Sequence, residues 1–300
     1  MEKKQMKKIP LTFFPGGKIV TDEWLPIVFA EFAANGAENI VINELMAPRF
    51  LTDPRFYSNL ERIARSAGVK LFEIHAPFGE CWDLNCSVQA RRETMLQDHI
   101  KIMRYAAETG CKTYVIHVGA WDCIFRPEVS LERMRELARA SIEVLLPEAE
   151  KLGIILAVEN SFEMSNATDE VLGLLTQFDS PFIGCCFDAG HANFMAPARD
   201  GKPKVYPKYM VEQAWRGNLI QEPAALEKLY PHIVTCHLND NSGLGDDHNL
   251  PGKGTIDWDD LMPKLLKAPR LVSCQAEVGH FNHNISIKEL CETMIRLVYG

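Results

Sequence analysis

In five places a side chain of metal-ligand type follows directly on an apolar run: Ile116-His117, Val158-Glu159, Phe187-Asp188, Cys236-His237 and Ala276-Glu277. Leaving a carboxylate desolvated and unpaired at the end of a buried strand is costly, and a cation is the natural remedy. Glu159, Asp188, His237 and Glu277 together supply three carboxylates and one imidazole. That is a hard, oxygen-rich set suited to one divalent ion, Mn²⁺ or Mg²⁺, with Zn²⁺ admitted by the imidazole. His75 ends another apolar run, His191 follows Asp188 by one turn, and Asp246 and His248 stand in a later loop. Nine residues of ligand type therefore point at one centre. His99, inside a helical pattern, and His232, before a strand, read instead as hydrogen-bonded structural residues. For His280 the sequence does not choose between supporting the site and no role.

Many chain segments must converge to bring these residues together. Eight short apolar runs rich in Val, Ile and Phe serve: Ile9 to Phe14, Asn39 to Asn43, Lys70 to His75, Thr113 to His117, Ile154 to Glu159, Phe182 to Asp188, Ile233 to Leu238 and Leu271 to Glu277. Several are continuous rather than alternating, as strands covered on both faces are. Helical patterns lie between them, as at Asp53 to Ser66, Ser87 to Thr109, Leu131 to Lys151 and Asp169 to Phe178. Gly36, Gly68, Gly110 and Gly153 stand where helices should stop. The repeat predicts an α/β fold, a (β/α)8 TIM barrel forming a single domain over residues 1–300 with its core at about 9–298. Ligand-type residues at strand ends then gather at one mouth. A doubly wound sheet would carry a phosphate-binding glycine fingerprint after an early strand. Gly16-Gly17 lacks the further glycine and reads as a turn. The longest irregular stretches, Asn193 to Tyr209 and Asn239 to Ile256, are expected as loops over that mouth. Arg199, Lys202, Lys204 and Lys208 in the first read as a solvated positive loop.

The 300 residues are 47% hydrophobic and 24% charged, with a formal charge of −8. Such a balance disfavours a surface built to neutralise many phosphates, so no nucleic-acid partner is expected and a small molecule is. The loops after the first three strands carry only single basic residues such as Lys18 and Arg49. The segment Phe78-Gly79-Glu80-Cys81-Trp82-Asp83 suits a closed pocket. None of the nine cysteines is spaced as CxxC, and Cys185, Cys186, Cys236 and Cys274 lie in the most apolar runs, which predicts buried free thiols in a reducing compartment. Lys3, Lys4, Lys7 and Lys8 precede an apolar stretch too short for a signal peptide or membrane span. A cytoplasmic protein with no membrane partner is expected.

The runs Val158-Glu159-Asn160, Phe187-Asp188-Ala189-Gly190-His191, His237-Leu238-Asn239-Asp240 and Leu250-Pro251-Gly252-Lys253-Gly254-Thr255-Ile256-Asp257-Trp258, closed by Ala276-Glu277, resemble the xylose-isomerase-like TIM-barrel superfamily. That group includes sugar-phosphate isomerases and epimerases, keto-sugar 3-epimerases, inosose dehydratase-like lyases and apurinic-site endonucleases of the endonuclease IV type. In the isomerases and epimerases, the resemblance implies, Glu159, Asp188, His237 and Glu277 hold one divalent metal, the two glutamates flank the sugar, and His191 contacts substrate oxygens. In the endonuclease branch His75, His117, Glu159, Asp188, His191, His237, Asp246, His248 and Glu277 match the ligands of a three-zinc cluster. Lys253 falls among the substrate-binding positions, where many epimerases carry Arg. Barrels of this resemblance often pair into dimers or tetramers, although the sequence shows no interface signature beyond ordinary apolar surface.

The expected activity is therefore a metal-dependent isomerase or epimerase acting on a sugar or sugar phosphate through an enediolate, with Glu159 and Glu277 as the acid/base pair. His75, His117, His191, Asp246, His248 and Lys253 are expected to bind substrate or further metal. The alternatives are an apurinic-site endonuclease with up to three Zn²⁺ and a dehydratase of cyclic polyols. A binding barrel without turnover would not need two opposed bases.

Overall fold

A computed structural model describes residues 8–16, 21–80, 82–199 and 201–300. Gly17, Lys18, Cys81 and the lysines at positions 3, 4 and 7, which figure in the sequence readings, lie outside the described residues. Among the described residues eight strands, β1 (Leu11–Phe13), β2 (Asn39–Ile42), β3 (Lys70–His75), β4 (Thr113–Ile116), β5 (Ile155–Glu159), β6 (Ile183–Asp188), β7 (Ile233–Leu238) and β8 (Ser273–Ala276), pair in parallel and close into a barrel. β1 completes the ring by pairing with both β2 and β8. All eight predicted strands are present. Several are shorter than their apolar runs, because a strand extends only as far as its neighbours pair with it. Ile9, Pro10, Phe14, Asn43, His117, Ile154, Phe182, Leu271, Val272 and Glu277 thus flank strands rather than belong to them.

Helices wrap the barrel, including Pro54–Ala67, Gln89–Thr109, Leu131–Leu152, Thr168–Leu175 and Ile287–Tyr299. Asp53, Ser130 and Ser286 cap three of them by accepting from backbone N–H groups of the first turn. The four predicted helix-stop glycines, Gly36, Gly68, Gly110 and Gly153, all take positive φ. The helix expected over Asp169 to Phe178 starts one residue earlier, at Thr168, and ends at Leu175. The loop expected to begin at Asn193 is a helix, Ala189–Met195, as far as Met195, because Asp188 caps it through His191 N–H. No helix among the described residues is long and apolar enough to cross a membrane. The eight described cysteines are all free and buried.

Side chains distant in sequence tie the barrel together at two levels. Inside it, Glu73 of β3 is fully buried, and its Oε2 accepts hydrogen bonds from Thr113 Oγ1 (2.6 Å), Thr235 Oγ1 (2.7 Å) and Ser273 Oγ (2.9 Å). One carboxylate thereby ties β3 to β4, β7 and β8. Side chains two residues on along a strand return to the same face, so this polar knot sits one pleat below His75, His237 and Gln275. At the seam, the Tyr299 hydroxyl accepts from Leu11 N–H (3.2 Å) and donates to Ile9 C=O (2.9 Å), fastening the last helix to the first strand.

Candidate metal centre and pocket

The strand ends bring together nine of the ten residues singled out from the sequence. Glu159, at the end of β5, is 1% exposed and lies at the hub. Its Oε2 is 3.2 Å from both His75 Nε2 and His117 Nε2. Its Oε1 is 3.4 Å from His191 Nδ1 and 3.3 Å from His237 Nδ1. Burial alone would raise the Glu159 pKa, but the facing His237 and His117 rings hold it well below the usual carboxylate range. Ligand atoms of Glu159, Asp188, His237 and Glu277 all lie within 4.8 Å of one another. Four further groups among the described residues meet the same spacing: His75 and His117 with Glu159, His75 and His237 with Glu277, Cys186 and His237 with Glu159, and His191 with Asp246 and His248.

The neighbours of these side chains fix their orientation. Asp188 Oδ1 accepts from His191 N–H at 2.6 Å and Oδ2 from Asn239 Nδ2 at 2.8 Å. Asn160 brackets the Asp188 backbone, accepting from its N–H at 3.0 Å and donating to its C=O at 3.2 Å. The Gly190 position in Asp-Ala-Gly-His admits no side chain, since a Cβ there would lie 1.9 Å from Asn239 Oδ1. Asp246 stands between His191 Nε2 (3.5 Å) and His248 Nε2 (3.2 Å). Against the opposing effect of burial, these two imidazoles hold Asp246 far below the usual carboxylate range, while Asp246 raises His248 to about 10. His248 adopts a φ of 48°, an uncommon conformation for a residue with a side chain.

The observation that tests a cation is at His237. This residue is fully buried, and neither ring nitrogen has a hydrogen-bond partner among the described residues. Its Nδ1 is 3.0 Å from Glu277 Oε2, yet the pair lacks hydrogen-bond geometry and Glu277 Oε2 is also without a partner. Buried polar atoms are seldom left so. Three carboxylates crowd this one imidazole, and burial pushes Asp188 upward while its neighbours are held ionised. Atoms close together, unsatisfied by one another and negatively charged in sum fit a divalent cation.

Above the centre opens a cavity of ≈ 550 Å³, lined by Phe14, Phe78 and Phe281, by His75, His248 and His280, and by Glu44, Asp246, Asp247 and Glu277 among others. Phe78 also stacks on His117 at 4.8 Å. Glu277 faces this space, whereas Glu159 is beneath it. Lys253 is exposed and is not among the lining residues. His99 is a satisfied core residue, bonded to Tyr114 Oη and Trp82 C=O. Lys204 departs from the expected solvated loop: its ammonium donates to Asn193 C=O and Phe194 C=O, and burial lowers its pKa to about 8.

Sequence reasoning passed over the supporting asparagines and two aspartates. Asp83 accepts from Gly79, Ala120 and Trp121 N–H groups, joining the loops after β3 and β4. Asp240 accepts from the N–H groups of Asn241, Gly252 and Ile256 and from Trp258 Nε1–H, which shapes the loop carrying Asp246 and His248. The signal was present in Glu159-Asn160 and His237-Leu238-Asn239-Asp240, where amide-bearing residues follow each ligand-type residue.

Eight parallel strands thus close into a barrel that gathers carboxylates and imidazoles at its strand ends, spaced so that they could hold a metal ion. The family model described as "Xylose isomerase-like TIM barrel" matches residues 29–293, and the chain belongs to that family. An uncharacterized protein of Sinorhizobium fredii (strain NBRC 101917 / NGR234) is 27% identical over 156 residues, which span 51% of this chain and 43% of that relative. Among solved structures, a D-tagatose 3-epimerase-like protein aligns with TM-score 0.69 at 17% identity, covering 97% of this chain and 98% of that one. The IolI protein with a binding zinc atom aligns with TM-score 0.65 at 15% identity, covering 97% and 98%. At these identities the structural likeness speaks for the fold.

Proposed function

We propose that this chain is a divalent-metal-dependent isomerase or epimerase of a sugar or sugar phosphate. The observation that carries the reading is the cavity of ≈ 550 Å³, walled by three phenylalanines and floored by ionised carboxylates and imidazoles. Its size is that of a small-molecule site, aromatic faces suit the C–H faces of a sugar ring, and Glu44, Asp246 and Asp247 at its wall disfavour a polyanionic duplex. The epimerase-like and zinc-bearing relatives support the same class.

Glu159, Asp188, His237 and Glu277 would hold the cation, which when bound supplies Lewis-acid stabilisation to a sugar carbonyl and the adjacent hydroxyl oxygen. Glu277, facing the cavity and held down to about 2 by His237 against the effect of burial, stays ionised and takes the proton alpha to the carbonyl. Glu159 is the partner base from the floor. His191 and His248 each turn one ring nitrogen to Asp246 and the other to a backbone carbonyl, that of Asn160 and of Glu277 respectively. They so position Asp246, whose carboxylate lines the cavity and meets substrate hydroxyls. The phenylalanines exclude water from the enediolate.

Two expected outcomes test this. Asp188→Ala and His237→Ala should each lower the metal content of purified protein, since each leaves the remaining carboxylates repelling one another; full occupancy in both variants would sink the metal assignment. With Mn²⁺ or Mg²⁺, the wild-type protein should exchange an alpha proton of a ketose or ketose phosphate with solvent deuterium, and should bind abasic duplex DNA weakly at moderate salt. A second reading, hydrolysis of phosphodiesters at an abasic site by a three-zinc centre, is favoured by one observation: Glu159 stands between two ligand groups and a third surrounds Asp246. Three tightly held zinc ions together with salt-sensitive duplex binding and strand cleavage would reverse the order of the two readings.

A further inference from the structure

Beneath the cation-ligand residues the barrel interior holds polar atoms that the proposed chemistry does not use. His237 of β7 stands in register with Gln275 of β8, and both are fully buried. In-register residues of neighbouring parallel strands emerge on the same face, and here that face is the interior, since Glu277 follows Gln275 by two. The Gln275 amide N–H donates to Glu277 Oε1 at 3.4 Å. Its Oε1 has no partner among the described residues, and neither does His237 Nε2. One amide thus donates to one ligand-type carboxylate and stands in strand register with a ligand-type histidine, with an unsatisfied acceptor on the amide and an unsatisfied nitrogen on the imidazole.

The chemistry of a metal-binding histidine connects these atoms. His237 turns Nδ1 toward Glu159, Asp188 and Glu277. If that nitrogen gives its lone pair to a cation, the ring proton resides on Nε2. A buried N–H needs an acceptor, and the groups that receive it from metal-bound histidines set the tautomer and orientation of the ring. We infer that Gln275 is a positioning residue of this centre: its Oε1 accepts from His237 Nε2–H while its amide N–H holds the Glu277 carboxylate. A single side chain then orients an imidazole and a carboxylate on adjacent strands. The inference rests on His237 being a metal ligand, as proposed for this centre.

Two other groups could compete for the Nε2 proton. The Cys186 sulfur lies within 4.8 Å of the ligand atoms of Glu159 and His237, but a thiol is a weak acceptor beside an amide oxygen. Glu73 Oε1 is also without a partner, but Glu73 belongs to the knot one pleat lower, through Thr235, two residues before His237.

The test uses Gln275→Met, which keeps side-chain length and volume and removes both amide contacts. Zn²⁺ affinity, measured by competition with a chromophoric chelator, should fall about 10- to 100-fold. The thermal midpoint of the metal-free variant should equal or exceed that of the wild type, because a buried unsatisfied oxygen is gone; a merely structural role would lower it. Long-range ¹H–¹⁵N NMR of zinc-loaded wild-type protein, assigned with His237→Ala, should show a protonated Nε2 whose proton exchanges slowly with solvent. That protection should be lost in Gln275→Met and kept in Cys186→Ala. Wild-type zinc affinity in Gln275→Met, or protection that depends on Cys186 instead, overturns the inference alone. An unprotonated Nε2 in the wild type overturns it even if Gln275→Met does not fold. Unchanged zinc binding in His237→Ala overturns the metal reading and this inference with it.

Discussion

Glu277→Gln should cut turnover by roughly 10²- to 10⁴-fold with metal still bound, the range expected when a positioned base is lost. Glutamine keeps a carbonyl oxygen for the cation but cannot accept the substrate proton, and Glu277 is the carboxylate of the pair that lines the cavity. Glu159→Gln should differ in kind. Both Glu159 oxygens face imidazoles, His75 and His117 on one side and His191 and His237 on the other. An amide NH₂ placed against either pair loses the ionic attraction, so this variant should lose metal as well as turnover. Steady-state rates and metal content of the two variants, measured together, check both statements. Wild-type turnover in metal-loaded Glu277→Gln would remove that residue from the acid/base pair and leave a one-base mechanism.

Asp240→Ala should be the most destabilising single change outside the cation-ligand residues, at roughly 3–5 kcal/mol. Asp240 is fully buried and satisfies three backbone N–H groups and the Trp258 indole. Alanine leaves all four donors without their acceptor. The loss extends to the site, because the segment between Asp240 and Trp258 carries Asp246 and His248. Urea unfolding of metal-free protein gives the stability change, and the midpoint should drop without a change in slope. A loss below about 1 kcal/mol would mean that water or a relaxed loop replaces the carboxylate.

The strands were legible because each is a short, mostly apolar run of barrel-strand length, several of them unbroken, and the cation-ligand residues because each follows such a run at its end. Strand limits were less so: Pro10 and Leu271 are as apolar as their neighbours, and only pairing shows that they lie outside β1 and β8. Asn160, Asn239 and Asp240 looked like ordinary loop residues, since nothing local distinguishes an asparagine that orients Asp188 from one that forms a turn. Glu73 was least legible. Its meaning depends on Thr113, Thr235 and Ser273, which lie 40, 162 and 200 residues away along the chain. Lys253 was singled out by its motif alone, and its exposed side chain stands outside the cavity wall.

The Tyr299 hydroxyl that joins Ile9 and Leu11 spans 290 and 288 residues of chain. Contacts of that separation reward the chain only after the intervening segments have been ordered. During synthesis β1 must therefore wait as an open sheet edge, paired on one side to β2, until β8 and the last helix emerge. The ring closes late, and its seam is the place where an incompletely made chain offers strand edges to other chains.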